Sequence, residues 1–412
     1  MADDVAVLGA GIVGICTALS LAERGVPVTV IDRGAPGQET SYGNAGVISP
    51  WSVIPQSMPG LWRQIPWMMR GPYRPLNVRL AYWPRMLPWG LRFLRQGTEA
   101  RVRRTADAME MLCAPSVELY RRHLAGTGAD LLVRDSAYVH AFRDGSRATM
   151  EGLGYRIRQE KGARMELLGA DALHRLEPAL STSFQGAVVI HDQARALAPG
   201  RLASVLADKA RALGVRFETA RITAIARGEG GRWTVRAADR TFSAARVVVA
   251  LGAWSADLLR PLGIKVPLAT ERGYHLQFPK PGVEIHNSVM DTDAKIVASS
   301  MEGGARFAGQ AEFGDLDAPP DPAITARIAR QARAMFPDMQ GDAPRAWMGR
   351  RPSLPDSLPA IGTLEGLPGL HVNFGHSHYG LMMAPKSGEV IADLMIGRHA
   401  NAMQHAIDPG RF

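Results

Sequence analysis

The chain has 412 residues, 46% of them hydrophobic and 21% charged; this excludes a disordered or fibrous polymer and asks for two connected cores. The formal net charge is +9, yet only six of the 48 basic residues are lysines, so the charge is a dispersed arginine bias and not a basic tail. Cys16 and Cys113, the only cysteines, form no disulfide framework and no metal spacing. Neither a cleavable leader nor a membrane-spanning run of about 18 apolar residues is read in the chain, so a cytoplasmic location is expected.

The chain opens with a strand, Val5 to Leu8, followed by Gly9-Ala-Gly11-Ile-Val-Gly14. A helix to Arg24 carries Ile12, Ile15, Leu19 and Ala22 on one face, and Gly25 suits its C-terminal cap. A second strand, Val26 to Ile31, ends at Asp32. Residues 51–110 break repeatedly into short helices. Between Val47 and Thr98 there is no acidic residue, but there are seven arginines and five of the eight tryptophans. One longer helix is predicted over 105–125 and strands over 131–142. An amphipathic helix, Leu202 to Leu213, leads into a strand meander. Arg246 to Leu251 reads as a buried strand, 265–315 as strand-like alternation, Ile324–Met335 as a helix and Lys386–Ile396 as a closing helix. There is no internal repeat.

The glycine motif alone is a weak signal, but here a strand precedes it, a helix follows, and Asp32 stands 18 positions beyond the last glycine. Gly9 permits the tight turn, Gly11 the approach of a pyrophosphate, and Gly14 the packing of helix on strand. The helix start, with Ile12 and Val13, offers N–H groups and a positive dipole end to phosphates, and Asp32, with Arg33 beside it, suits the ribose end. The same unit serves NAD and FAD.

Four segments decide between them. Glu39-Thr-Ser-Tyr-Gly-Asn-Ala-Gly46, Val248-Val-Ala-Leu-Gly-Ala-Trp-Ser255, Gly349-Arg-Arg-Pro-Ser-Leu-Pro-Asp-Ser-Leu-Pro-Ala-Ile-Gly362 and Phe374-Gly-His-Ser-His-Tyr-Gly-Leu-Met-Met-Ala-Pro385 resemble, in order and spacing, the D-amino-acid oxidase superfamily, in particular its bacterial D-amino-acid dehydrogenase branch. The resemblance implies noncovalent FAD, since no cysteine stands where sarcosine-oxidase relatives attach theirs. It places Thr40, Ser41, Asn44, Ala45 and Gly46 in a flavin-approach loop, and Ala250, Gly252 and Trp254 near the pyrophosphate. Gly375, His376, Gly380 and Leu381 fall beside the flavin's N1/O2 edge, where charge develops on reduction.

The resemblance further implies a substrate with an amine beside a carboxylate. Arg351 sits at the family's carboxylate-binding position, where a guanidinium can donate two parallel hydrogen bonds. Arg350, beside it, replaces the usual apolar residue and leaves open which of the two points inward. Tyr274 and His275 alternate on a strand, so one of them faces the pocket; the family offers a tyrosine here. His378 and Tyr379 are candidates at the flavin rim. The implied chemistry is hydride transfer from the substrate Cα to flavin N5, with the protein supplying position and no obligatory base. Electrons would pass to a quinone or another acceptor. The Trp/Arg stretch 47–98 would then touch the membrane surface on its inner face, or else form a subunit interface or a lid. A glycine- or sarcosine-type oxidase using O2, a tRNA-modifying flavoenzyme and an FAD-binding subunit of a larger dehydrogenase remain alternatives. No nucleic-acid partner is expected, for want of an RNA-binding motif, and the oligomeric state is open.

The expected fold is α/β. A Rossmann-type FAD-binding domain is assembled from 1–50, 190–265 and 340–412. A substrate domain, 51–189 and 266–339, carries a mixed or antiparallel sheet with helical insertions.

Overall fold

The computed structural model describes residues 4–341, 343–398 and 403–412. A six-stranded sheet runs in the order Ala360–Thr363, Leu370–Phe374, Arg246–Val249, Val5–Leu8, Val28–Asp32, Arg216–Thr219. All neighbours are parallel except the first pair. Its strands read Val-Ala-Val-Leu and Arg-Val-Val-Val because both faces are covered, Val5, Val7 and Val248 by helices and Ala6, Leu8, Val247 and Val249 by Ile225, Trp233 and Val235 of a strand meander. The helix Ile12–Ala22 packs against Gly380–Met395 so closely that a Cβ on Gly388 would stand 2.6 Å from the Cys16 carbonyl oxygen. A three-stranded antiparallel meander, Ile222–Arg227, Trp233–Ala237 and Thr241–Ala244, lies beyond the first sheet.

The larger sheet is mixed and mostly antiparallel. Its order is Arg345–Ser353, Ala269–Phe278, Gly304–Phe313, Ile296–Met301, Ser288–Asp291, Val133–Phe142, Gly186–Ala196, Val47–Ile48. One of these strands, Gly186–Ala196, crosses an expected segment boundary, and two, Arg345–Ser353 and Val47–Ile48, lie wholly within stretches read as cofactor module; all three pair in the larger sheet. The chain thus passes between the two sheets through the strand that carries Arg351.

Two helices differ from the sequence expectation, each at a proline. The helix expected over 105–125 is two, Glu99–Cys113 and Ser116–Leu124. Pro115 has no N–H, and its ring excludes the carbonyl four residues back. The closing helix begins at Gly380, not Lys386, and runs through Pro385 to Met395. The carbonyl that Pro385 cannot engage belongs to Leu381, and Tyr120 Oη donates to it at 2.7 Å. A tertiary contact from a distant helix therefore permits the proline.

The helices Leu61–Arg70 and Trp83–Arg95 occupy the acid-free segment. Their inner faces, with Ile65, Met68, Met86 and Phe93, wall a large cavity. Their outer faces expose Trp62, Trp67, Leu87 and Leu91 among the exposed Arg63, Arg70, Arg85, Arg92 and Arg95. No helix among the described residues is long and apolar enough to cross a membrane.

Candidate active site

One cavity of about 1090 Å³ joins the two sheets, at the upper end of the roughly 300–1,000 Å³ common for small-molecule sites. It begins at the carboxyl ends of the parallel strands and ends on one face of the larger sheet.

The dinucleotide end is built by close backbone packing. Gly9 has φ +111°, and a Cβ there would meet the Ala250 carbonyl oxygen at 2.4 Å. A Cβ on Gly14 would stand 1.9 Å from the Gly9 carbonyl oxygen. Gly14 therefore lies beneath the turn, while Gly9, Gly11, Ile12 and Val13 line the cavity. Val13 and Gly14 keep first-turn N–H groups with no partner inside the helix. The Ile12 N–H donates to Ser41 Oγ at 2.9 Å, so this serine caps the helix from the neighbouring loop. Asp32 accepts from the N–H groups of Ala10 (2.7 Å) and Gly34 (2.9 Å), which fixes its carboxylate at the cavity wall with lone pairs to spare. Arg33 pairs with Glu39 and lies 4.2 Å from the Trp254 ring centroid. Ala250 and Gly252 line the same wall.

The loop Thr40–Gly46 is held from both sides. Thr40 Oγ1 donates to the Arg350 carbonyl at 2.9 Å. Asn44 Oδ1 accepts from the Gly46 N–H at 2.8 Å. Arg306 Nη1 donates to the carbonyls of Tyr42 and Asn44 at 3.0 and 2.8 Å. Thr40, Ser41, Asn44 and Ala45 face the cavity; Gly46 turns away against Ala196 and Met301. Gly43 has a different neighbour from the one its size suggests: the Trp347 ring, which a Cβ would approach to 1.9 Å. Trp347 stacks on His275, ring centroids 5.1 Å apart, and the Gly43 carbonyl lies 3.0 Å from His275 Nδ1. Of the alternating pair, His275 thus faces this loop. Tyr274 contributes to the cavity wall, but its hydroxyl is turned to the opposite core, where it bonds the Glu312 carboxylate and accepts from the Asp321 N–H. Burial, with Glu312 beside it, pushes Tyr274 up to about 12.

The last helix aims its N-terminus at the cavity. Gly375, His376, Ser377, His378, Tyr379, Gly380 and Leu381 line it, and the first-turn N–H groups of Gly380, Leu381 and Met382 are the helix's own unpaired donors. His376 is buried and lies 3.2 Å from Ser387 Oγ. His378 lies against Tyr379 at a tilt of 37°, with 3.9 Å between centroids, and Gln56 Nε2 sits 3.0 Å from its Nδ1. The Tyr379 hydroxyl donates to the Ile54 carbonyl at 2.8 Å. Burial lowers His376 to about 3 and His378 to about 4, so both are neutral near pH 7. Each unfolds to an ordinary histidine near 6.5, which binds a proton that the native state refuses. Stability contributed by His275, His376 and His378 is therefore complete above about pH 6.5 and declines as pH falls toward about 4. A thermal melt at pH 5 should lie several degrees below one at pH 7, and an unchanged midpoint would contradict this neutral burial.

The other end of the cavity rests on the larger sheet. Register places Arg351 opposite Glu271, Gly349 opposite Gly273 and Trp347 opposite His275, all on one face. Arg351 Nη1 donates to Glu271 Oε1 at 2.7 Å and to the Gln310 carbonyl at 3.2 Å. Its guanidinium lies flat over Gly273, where a Cβ would stand 2.3 Å from Nη2. Glu271 Oε2 accepts from Ser353 Oγ at 2.7 Å and Gln56 Nε2 at 3.3 Å. Burial would raise the Glu271 carboxyl, but the Arg351 guanidinium and the Ser353 hydroxyl hold it below the usual range, as an anion. Arg350 diverges: its Nε donates to the Leu316 carbonyl, and its guanidinium lies 5.5 Å from the Trp254 ring centroid. Lys295 stands in the cavity wall, where burial lowers it and the carboxylates of Asp293 and Asp291 oppose that shift. Glu271, Trp347, Gln56, Arg306 and Lys295 carry no motif of their own and emerge only from strand register and the cavity. A Gly273→Ala variant should displace Arg351 and lower kcat/KM for a carboxylate-bearing substrate by about tenfold or more, with cofactor still bound; unchanged kinetics would contradict this placement.

A family model described as FAD dependent oxidoreductase (DAO) matches residues 4–394. The chain belongs to this family. Its cofactor is FAD, and its class is that of oxidoreductases acting on amines and amino acids. A Bradyrhizobium diazoefficiens protein named D-amino-acid oxidase is 35% identical over 99% of this chain and 98% of the relative. A D-amino acid dehydrogenase of Methylobacterium sp. is 33% identical over 96% of each. Two solved structures share the fold: glycine oxidase from Geobacillus kaustophilus (TM-score 0.75, 21% identity, 99% and 98% of the chains) and L-proline dehydrogenase from P. horikoshii (TM-score 0.75, 21% identity, 100% and 98%). The glycine turn, the capped helix start and the long cavity of the DAO-family chain fit a dinucleotide laid from Asp32 toward Gly380.

Proposed function

We propose that the protein oxidatively deaminates a small D-amino acid with noncovalent FAD. The observation that carries this reading is the Arg351 guanidinium, flat on the cavity floor, with Nη2 and Nε making no hydrogen bond among the described residues. That edge matches a substrate carboxylate. Gly9, Gly11, Val13, Asp32, Ser41 and the start of the last helix would hold FAD; neither cysteine lines the cavity. When bound, FAD supplies the two-electron acceptor for the hydride leaving the substrate Cα. The chain's own task is placement: Arg351 fixes the carboxylate, the sheet face fixes the Cα, and the helices Leu61–Arg70 and Trp83–Arg95 exclude water. Tyr379 and His378 shape the rim. His378 is neutral, so a hydrogen bond to substrate would come from an imidazole and not an imidazolium. The imine product hydrolyses in water to a 2-oxo acid and ammonia.

The curated relatives are named for both oxidase and dehydrogenase activity. The exposed tryptophans, leucines and arginines on the two cavity-walling helices favour electrons passing to a quinone at an anionic membrane surface. The test is turnover with paired D- and L-amino acids, measuring 2-oxo acid and ammonia with either a soluble quinone or O2 as acceptor. Product from the D-isomer with quinone is expected. Turnover only of the L-isomer would overturn the stereochemical reading, and turnover only with O2 would overturn the acceptor.

A further inference from the structure

We propose that Glu271 makes the substrate end selective for zwitterions: amino acids are accepted, and carboxylates that lack an amine are disfavoured, the deaminated product among them. The inference rests on the amino-acid reading above and extends it to a residue that no motif marks.

Glu271 sits in an otherwise enclosed strand and is 3% exposed. It is ionised by its surroundings and occupies one edge of the Arg351 guanidinium at 2.7 Å. Ser353 and Gln56 fill its second oxygen. The arginine that would receive a substrate carboxylate is therefore already neutralised. An incoming carboxylate on the free Nη2/Nε edge would lie within a few ångströms of Glu271, and like charges so close in a water-poor site repel strongly.

An amino acid arrives with its own ammonium, so on binding the set Glu271, Arg351, carboxylate and ammonium sums to zero; the ammonium then gives its proton to water before the hydride leaves the Cα. A 2-oxo acid brings only the anion and leaves the set one charge short. Lys295, in the same cavity wall, is offset by the carboxylates of Asp293 and Asp291, and His378 adds no charge. The Glu271 carboxylate thus works against retention of the product after its nitrogen is lost, and against capture of ordinary carboxylates by a cavity that carries Arg351, Lys295 and Arg158. Arg158 itself is engaged by the Trp51 carbonyl at 3.0 Å.

The experiment compares FAD-loaded wild type, Glu271→Gln and Glu271→Asp. Acetate and pyruvate are titrated against the visible flavin spectrum, and KM and kcat are measured for a D-amino acid reduced well by the wild type. Glu271→Gln keeps the hydrogen-bonding shape and removes the charge; its affinity for acetate and pyruvate should rise by about tenfold or more, while KM for the amino acid does not fall. Glu271→Asp keeps the charge and should retain wild-type discrimination. If Glu271→Gln reduces with amino acids but its ratio of carboxylate to amino-acid affinity equals that of the wild type, the selectivity role is overturned. If Glu271→Gln does not fold, the Asp variant decides: loss of discrimination in a folded, charged variant overturns the proposal, and its retention supports it. A wild type that no amino acid reduces would instead overturn the functional reading on which this one stands.

Discussion

Replacing Arg351 with lysine should lower kcat/KM for an amino acid by about 10²–10³-fold, the cost of truncating one member of a desolvated, hydrogen-bonded charge pair. Lysine keeps a positive charge for Glu271, 2.7 Å away in the native protein, so the fold is spared the roughly 3–5 kcal/mol of an uncompensated buried carboxylate that a methionine would cause. What lysine lacks is the planar fork, and with it the free Nη2/Nε edge over Gly273. The control is an amine of equal chain length without a carboxylate: its kcat/KM should change little. Equal losses with both substrates would show that Arg351 holds the site together and does not read the carboxylate.

Gly14→Ala should empty the protein of cofactor. The new Cβ would stand 1.9 Å from the Gly9 carbonyl oxygen, inside van der Waals contact with backbone that cannot move without breaking the turn. A strain of about 3 kcal/mol or more is expected, and since each 1.4 kcal/mol is tenfold in affinity, FAD affinity should fall by about a hundredfold and the protein should purify largely without it. Gly25→Ala is the control. Gly25 has positive φ, +75°, but no atom lies within 4 Å of its would-be Cβ, so the change should cost about 1 kcal/mol and leave FAD bound. A yellow Gly14→Ala protein would contradict the packing described for the turn.

The cofactor end of this molecule is legible in the sequence because its determinants are local. Strand, glycine turn, helix and Asp32 lie within about 30 residues, and each residue type answers a backbone demand visible at short range. The substrate end is not, because its determinants are cross-strand. Glu271 reaches Arg351 across 80 positions and Gln56 reaches His378 across 322; nothing in either local sequence announces the partner. The same limit explains Tyr274 and His275. Alternation says that they face opposite ways, but which face is the cavity depends on Gly43 and Trp347, far away in the chain. Gly43 itself is small for the sake of an indole ring, a demand that sequence cannot distinguish from room for a flavin. Pro385 hides the first turn of the closing helix from a local reading for a like reason, since the donor that satisfies Leu381 is Tyr120 from another helix. The divergence of Arg350 and Arg351, adjacent in sequence, follows from strand pleating once the sheet is formed.

The central claim, that this cavity brings an amino acid's Cα to FAD, is tested most directly by anaerobic reduction. The purified protein is titrated without oxygen against a panel of D- and L-amino acids, hydroxyproline isomers and sarcosine, while the visible flavin absorbance is followed. The account predicts a yellow protein whose colour bleaches stoichiometrically with at least one small D-amino acid and does not bleach with the corresponding 2-hydroxy acid. A yellow protein that none of these amines bleaches would contradict it.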